Sequence, residues 1–91
     1  MGDINTMNDM EILGHYFYHK GLVETHRMCA VSAIEALQNQ LDVAATAVGK
    51  FSLTGTIRLA GIIDQSRDNV TKHVQAANRY ADLCGHPRLE A

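Results

Sequence analysis

The sequence predicts an all-α protein built as a long antiparallel helical hairpin, and three observations lead to this fold class. Apolar residues recur at alternating spacings of four and three through residues 30–48, and nearly the same period returns through residues 60–84. A short connection containing Gly49 and Gly55 lies between these two stretches. No alternating run of β-branched residues indicates a strand. Two long helices with so short a connection pack in antiparallel directions.

The chain opens with residues 1–7, which we interpret as a flexible N-terminal arm because they are polar and lack a helical period. Asn8 followed by Glu11 is typical of a capping box, so a helix is expected to begin there. Gly21 lies inside this helical segment, and glycine weakens a helix interior by about 1 kcal/mol relative to alanine. Two interpretations therefore stay open: residues 8–20 continue into the central helix, or they form a separate helix.

The central stretch has the clearest helical period in the chain. Its apolar stripe consists of Ala30, Ile34, Leu37, Leu41, Ala44 and Val48. Polar residues such as Glu35 and Asp42 fall outside the stripe, which is therefore predicted to be the face that packs against other helices. Gly49 predicts the end of this helix, because glycine tolerates the left-handed conformation found there.

The second long helix is predicted to begin after a cap at Ser52 or Thr54 and to run to Cys84. Gly85 and Pro87 mark its end, since glycine favours helix termination and proline cannot continue a helix. Its apolar stripe consists of Ala60, Ile63, Val70, Val74, Ala77, Ala81 and Cys84, with Arg67 as a polar intruder.

These elements form one predicted helical domain at residues 8–86, followed by a short C-terminal tail at 87–91. A chain of 91 residues buries a limited core, and one hairpin covers only one side of each helix. We therefore expect a homodimer that completes a four-helix-type bundle. As an alternative, the N-terminal segment covers part of the open side as a third helix.

Composition bears on partners and location. The net charge is −2 with no run of Lys or Arg, which disfavours nucleic acids and anionic membranes as partners. No apolar run approaches the roughly 20 residues that span a bilayer, and the N-terminus lacks the pattern of a signal peptide. The two cysteines do not form a Cys-x-x-Cys pair, and free thiols fit a reducing compartment. We expect a cytoplasmic protein.

The histidines are candidate metal or proton sites. His15 and His19 are four residues apart, a spacing that can chelate a metal ion on one helix face. A hairpin centred near residue 52 brings Cys84 opposite residues 18–20, where it can join His15 and His19 in one site. The same hairpin brings His73 level with Val31. The competing interpretation is a set of ordinary surface histidines, because no metal-site signature has the required spacing. We predict no cofactor and keep His15, His19 and Cys84 as the alternative.

The aromatic triplet Tyr16-Phe17-Tyr18 indicates an interaction surface. Consecutive helical residues point about 100° apart, so one narrow stripe cannot bury all three rings. Tyr16 fits the core side, and at least one of Phe17 and Tyr18 then faces solvent or a partner. The residues predicted at a partner or dimer interface are Leu13, Tyr16, Phe17, Tyr18, Ile34, Leu37, Leu41, Ile63, Arg67, Val70 and Tyr80.

Enzyme signatures are missing from the sequence. The glycines do not form a phosphate-binding loop, and no Gly-x-Ser-x-Gly elbow occurs. Asp64 and Asp68 share a helix face with Arg67 beside them, which is typical of a solvated acidic turn rather than a catalytic pair. We predict that the protein is not an enzyme. It is expected to act by protein–protein binding, as a regulator or inhibitor of the anti-activator type that occupies a partner's apolar interface. The alternatives are a metal- or pH-responsive bundle and a structural assembly subunit.

Overall fold

A computed structural model describes residues 7–91, and two long α-helices account for most of them. Helix α1 spans Asp9–Thr46, a short 3-10 turn spans Val48–Lys50, and helix α2 spans Leu53–Cys84. The described residues contain no strand, and the two helices pack against each other. The all-α hairpin is therefore confirmed. Residues 1–6 of the predicted N-terminal arm lie outside the described residues.

Helix α1 is continuous, which decides between the two interpretations of its N-terminal part. Its capping box is present: the Glu11 N–H donates to Asn8 Oδ1 at 2.8 Å, and the Asn8 N–H donates to Glu11 Oε1 at 3.5 Å. Gly21 lies inside the helix without breaking it. Tyr16 and Val23 are buried on either side of this glycine, and their burial offsets the roughly 1 kcal/mol that it costs. Residues 8–20 are therefore not a separate third helix.

Helix α2 has a defined cap at each end. Ser52 Oγ accepts the Gly55 N–H at 2.9 Å, so Ser52 rather than Thr54 is the N-cap. The helix ends at Gly85, whose φ of 75° lies in the left-handed region that favours glycine. The following N–H, of His86, donates back to the Ala81 carbonyl at 3.1 Å and completes the C-terminal cap.

The two helices meet along one seam, and its positions alternate by four and three residues on each helix, as in a coiled coil. The seam on α1, continued by one residue past its end, is Ile12, Tyr16, His19, Val23, His26, Ala30, Ala33, Leu37, Gln40, Ala44 and Ala47. The seam on α2 is Thr56, Leu59, Ile63, Ser66, Val70, His73, Ala77, Tyr80 and Cys84. Every one of these side chains is buried or half-buried. The hairpin measures 60 × 24 × 14 Å and is thus one helix layer thick.

The core lies mainly at the open end of the hairpin, where α1 begins and α2 ends. One buried cluster contains Tyr16, Ala77 and Ala81, and the next contains Val23, Val70 and Val74. Leu89 of the C-terminal segment packs against both clusters. Residues 85–91 therefore fold back along the helices. The Tyr16 hydroxyl, which donates to the Pro87 carbonyl at 3.3 Å, helps to hold them.

Candidate functional site

The half of the hairpin near the turn exposes an apolar stripe on α1. From Val31 to the turn, the α1 positions that directly follow the seam positions are all exposed. We call these positions the outer stripe. The outer stripe consists of Val31, Ile34, Gln38, Leu41, Ala45 and, in the 3-10 turn, Val48. Its spacing is again three and four, so α1 carries two adjacent seams, of which only one has a partner among the residues that the structure describes.

Helix α2 extends this surface. Leu53, Ile57 and Ala60 are exposed and share one helix face at spacings of four and three. Ile57 and Ala60 each directly follow an α2 seam position. In an antiparallel pair, positions that follow the seam on both helices lie on the same side of the hairpin. The outer stripe and this α2 patch therefore form one broad apolar face, of the kind that marks interaction sites.

This face corrects the prediction that the stripe at residues 30–48 packs as a unit. Ala30, Leu37 and Ala44 belong to the seam and are half-buried. The other three members are exposed, with relative exposures of 40% for Ile34, 47% for Leu41 and 80% for Val48. The predicted stripe alternates between the two seams, because its mean direction points between α2 and the open side. Only half of it therefore packs within the chain.

The remaining predicted interface residues divide by exposure. Tyr16 and Val70 are buried between the helices, and Leu13, Ile63 and Tyr80 are half-buried. Phe17 and Tyr18 are exposed by 49% and 62%, so the triplet points one ring inward and two outward. Arg67 is exposed, and its guanidinium lies 2.6 Å from Asp64 and 3.2 Å from Asp68. Such solvated ion pairs contribute little to stability.

A second candidate site is a ladder of aromatic rings across the open end of the seam. The histidine ladder runs His26, His73, His19, Tyr80, His15, with successive ring centroids 5.6, 5.2, 6.0 and 4.9 Å apart. At its centre the Nδ1 atoms of His19 and His73 lie 2.9 Å apart, which is hydrogen-bond distance. Four of its five members, His26, His73, His19 and Tyr80, occupy seam positions, so the ladder joins α1 to α2.

Both central histidines favour the neutral form. Burial lowers the pKa of His19, and its positive or protonatable neighbours His73, His15, Arg79 and Lys72 lower it further. Burial, then His26 and Lys72, lowers the pKa of His73 as well. Among residues 7–91, no carboxylate contributes to either shift. The pair is therefore set to be uncharged at neutral pH.

The alternative metal site is not assembled in this structure. Within residues 7–91 no group of three or more His, Cys, Asp or Glu side chains is placed to hold a metal ion. His15 and His19 lie in the ladder, whereas Cys84 packs against the cluster of Tyr16, Ala77 and Ala81. The pairing of His19 with His73 was not predicted. The seam period would have placed both residues on the seam, but it does not determine which residue of α2 faces His19.

Comparison with protein-family models, with curated proteins and with solved structures finds no match. Within the described part of the chain, neither α1 nor α2 has a stretch apolar enough to cross a lipid bilayer. The apolar face and the histidine ladder are therefore the features of this chain that bear on its function.

Proposed function

We propose that this chain is a protein-interaction module that pairs with a second copy through the outer stripe and the α2 patch, and that regulates another protein by occupying its apolar interface. The observation that carries the proposal is the second, unpartnered seam of α1, whose six positions are all exposed. A helix with two apolar seams is typical of a bundle in which it contacts two neighbours.

Burial energy supports this pairing. The hairpin is a single layer, whereas a stable domain needs two layers around a core. Val31, Ile34 and Leu41 are 48%, 40% and 47% exposed in the single chain. Covering each of them completely therefore stabilises an assembly by about 1 kcal/mol, roughly half of the value for a fully exposed side chain. The α2 patch adds Leu53 and Ile57, which are both about three-fifths exposed in the single chain. A second hairpin laid on this face supplies the missing layer.

The outer stripe is also complementary to itself. When two copies cross antiparallel about a two-fold axis between Gln38 and Leu41, Ile34 of one copy faces Ala45 of the other. In the same arrangement Val31 faces Val48. Leu41 faces Gln38 of the other copy at the axis, and Ile34 meets the small side chain of Ala45, which suits close packing. One patch serves both copies, as a two-fold interface demands. We therefore propose a second copy as the occupant of this face.

A separate surface is left for a regulated partner. Phe17 and Tyr18 expose their rings at the open end of α1, about 20 Å along the helix from Val31. Tyr18, with Gly14 and His15, lines a shallow cavity whose surface is largely apolar. Exposed aromatic side chains are the residues most enriched in binding hot spots. If Phe17 and Tyr18 fill an apolar groove that the partner needs for its own interactions, this chain inhibits that partner in the manner of an anti-activator.

The dimer is tested by sedimentation equilibrium on the full, untagged chain at micromolar concentration. We expect twice the chain mass of 10.0 kDa. The double variant Ile34→Glu/Leu41→Glu should sediment as a monomer. The matched control Thr25→Glu/Gln75→Glu adds the same charge at two exposed positions off the stripe and should stay dimeric. A monomeric wild type contradicts the pairing, and a mass well above a dimer favours the structural assembly subunit.

The partner surface is tested by placing a photo-crosslinking phenylalanine analogue at Phe17, at Tyr18 or at the exposed control Gln75 in host cells. We expect one defined foreign adduct from the first two positions and none from Gln75. The adduct at Tyr18 should disappear when Phe17→Ala is introduced. Adducts formed only between copies of this chain would contradict the regulatory proposal while leaving the dimer standing.

A further inference from the structure

We propose that His19 and His73 form a proton-operated latch that holds the open half of the hairpin closed and releases it on acidification. The latch lies between the cluster of Tyr16, Ala77 and Ala81 and the cluster of Val23, Val70 and Val74. It therefore sits in the middle of the packed core. The inference concerns the single chain and does not depend on what covers the outer stripe.

The geometry of the pair determines how it responds to protons. A neutral imidazole has one N–H donor and one acceptor nitrogen, so a bond between two Nδ1 atoms needs one of them protonated and the other bare. One added proton, on the far nitrogen of the donor ring, leaves this bond in place. When both rings are imidazolium, each Nδ1 carries a proton and no bond is possible. Two positive charges then face each other at the seam.

The described residues around the pair provide no carboxylate that would compensate these charges. From α1 the pair is faced by His15, by His26 and, edge-on against His19, by the ring of Tyr18. From α2 it is faced by Lys72, Arg79 and the ring of Tyr80. All the charged groups among these are cationic or become so on acidification. Protonation of the ladder therefore accumulates positive charge at one point of the seam.

The direction of the effect follows from proton linkage. The pKa values of His19 and His73 are lower in the folded chain than the ordinary 6.5. In the pH interval between these lowered values and 6.5, the unfolded chain therefore binds more protons than the folded chain. The stabilisation that the neutral His19–His73 pair gives to the folded chain is fully present above pH 6.5. It is lost progressively as the pH falls through 6.5 towards the folded pKa values, and it changes no further below them.

The effect should be confined to one half of the hairpin. The five histidines of the chain lie at residues 15–26 and 73–86, and none lies in residues 27–72, which contain the turn. Leu89 packs on both clusters beside the pair. Opening at the latch therefore releases the C-terminal segment together with the beginning of α1 and the end of α2. The half of the hairpin near the turn stays helical.

The test is hydrogen exchange of the full chain with EDTA present, at pH 7.5 and 5.5, after correction for intrinsic exchange rates. Local opening in residues 9–26 and 70–84 should increase at least about fivefold at pH 5.5, the equivalent of one net hydrogen bond. Residues 30–66 should change less. The double variant His19→Gln/His73→Gln should lose this pH dependence, whereas the control His86→Gln, at a histidine outside the ladder, should retain it. An unchanged pH dependence in the double variant overturns the proposal.

Nitrogen NMR of the imidazoles in the unsubstituted chain gives a second reading that does not require the variant to fold. We expect one of the two Nδ1 atoms to be protonated and the other bare at pH 7.5. Both rings should gain their second proton below pH 6.5. Two rings that titrate independently at ordinary values, or that share the same Nε2–H tautomer, overturn the latch.

Discussion

Asn78 on α2 holds the backbone of Leu89 through both atoms of its side-chain amide. Nδ2 donates to the Leu89 carbonyl oxygen at 3.0 Å, and the Leu89 N–H donates to Oδ1 at 2.6 Å. The amide thereby pairs with Leu89 as a neighbouring peptide group would, and its own side chain is buried. A segment without secondary structure is thus fixed to the helical hairpin.

Asn78→Ala should lower the free energy of unfolding by about 1–3 kcal/mol, because two hydrogen bonds are lost and the Leu89 peptide groups are left partly unpaired. Urea denaturation followed by circular dichroism measures this change. The control Asn39→Ala removes an exposed asparagine of α1 and should change stability by less than about 0.5 kcal/mol. Equal stabilities of the two variants would show that the C-terminal segment does not contribute to the fold.

Leu89→Ala tests the apolar side of the same attachment. Leu89 is half-buried and bridges the two core clusters, so its truncation should cost about 2 kcal/mol, the low end of the range for a leucine. Leu83→Ala, at a leucine that is 49% exposed near the end of α2, is the matched control and should cost less. Limited proteolysis provides a second measurement, since Leu89→Ala should make the chain easier to cleave after Arg88. A larger cost for Leu83→Ala would refute this assignment.

Three of the four helix ends could be predicted from local sequence because each depends on side chains a few residues apart. The sequence predicts the C-terminal end of α1 at Gly49, but α1 ends at Thr46, and Gly49 lies in the 3-10 turn without a left-handed φ. Asn8 with Glu11 forms the expected capping box, and Gly85 adopts the expected left-handed conformation. Local periodicity also yields the all-α hairpin. The return of the C-terminal segment could not be predicted, because Asn78 and Leu89 recognise each other through a backbone conformation that has no sequence period.

The register and the division of the apolar surface depend on packing between helices. The sequence predicts the centre of the hairpin near residue 52, which places His73 level with Val31. In the structure the His73 ring lies between the rings of His19 and His26. Matching the seam positions of both helices fixes the register, and the midpoint of the connection does not. Likewise, Ile34 and Leu41 satisfy the helical period of α1, but that period cannot distinguish a neighbour within the chain from one supplied by another chain.

Two glycines of α2 should respond in opposite ways to alanine. Gly61 lies in the helix interior with open space where a Cβ would be added, so Gly61→Ala should raise the free energy of unfolding by about 0.5–1 kcal/mol. At Gly55 a Cβ would lie 3.1 Å from both Gln40 Oε1 and Ser52 Oγ, so Gly55→Ala should lose this gain. Gln40 Oε1 is buried without a hydrogen-bond partner among the described residues, and Ser52 Oγ is held in place because it accepts the Gly55 N–H.

Urea denaturation of Gly61→Ala, Gly55→Ala and the double variant Gln40→Ala/Gly55→Ala separates the two effects. Removing the Gln40 amide eliminates one of the two close contacts, so Gly55→Ala should be tolerated better in the Gln40→Ala background than in the wild-type chain. The double variant is compared with Gln40→Ala alone, because the effects of substitutions at sites in contact are not additive. If Gly55→Ala stabilises the chain as much as Gly61→Ala, the close approach of α1 to the first turn of α2 is wrong.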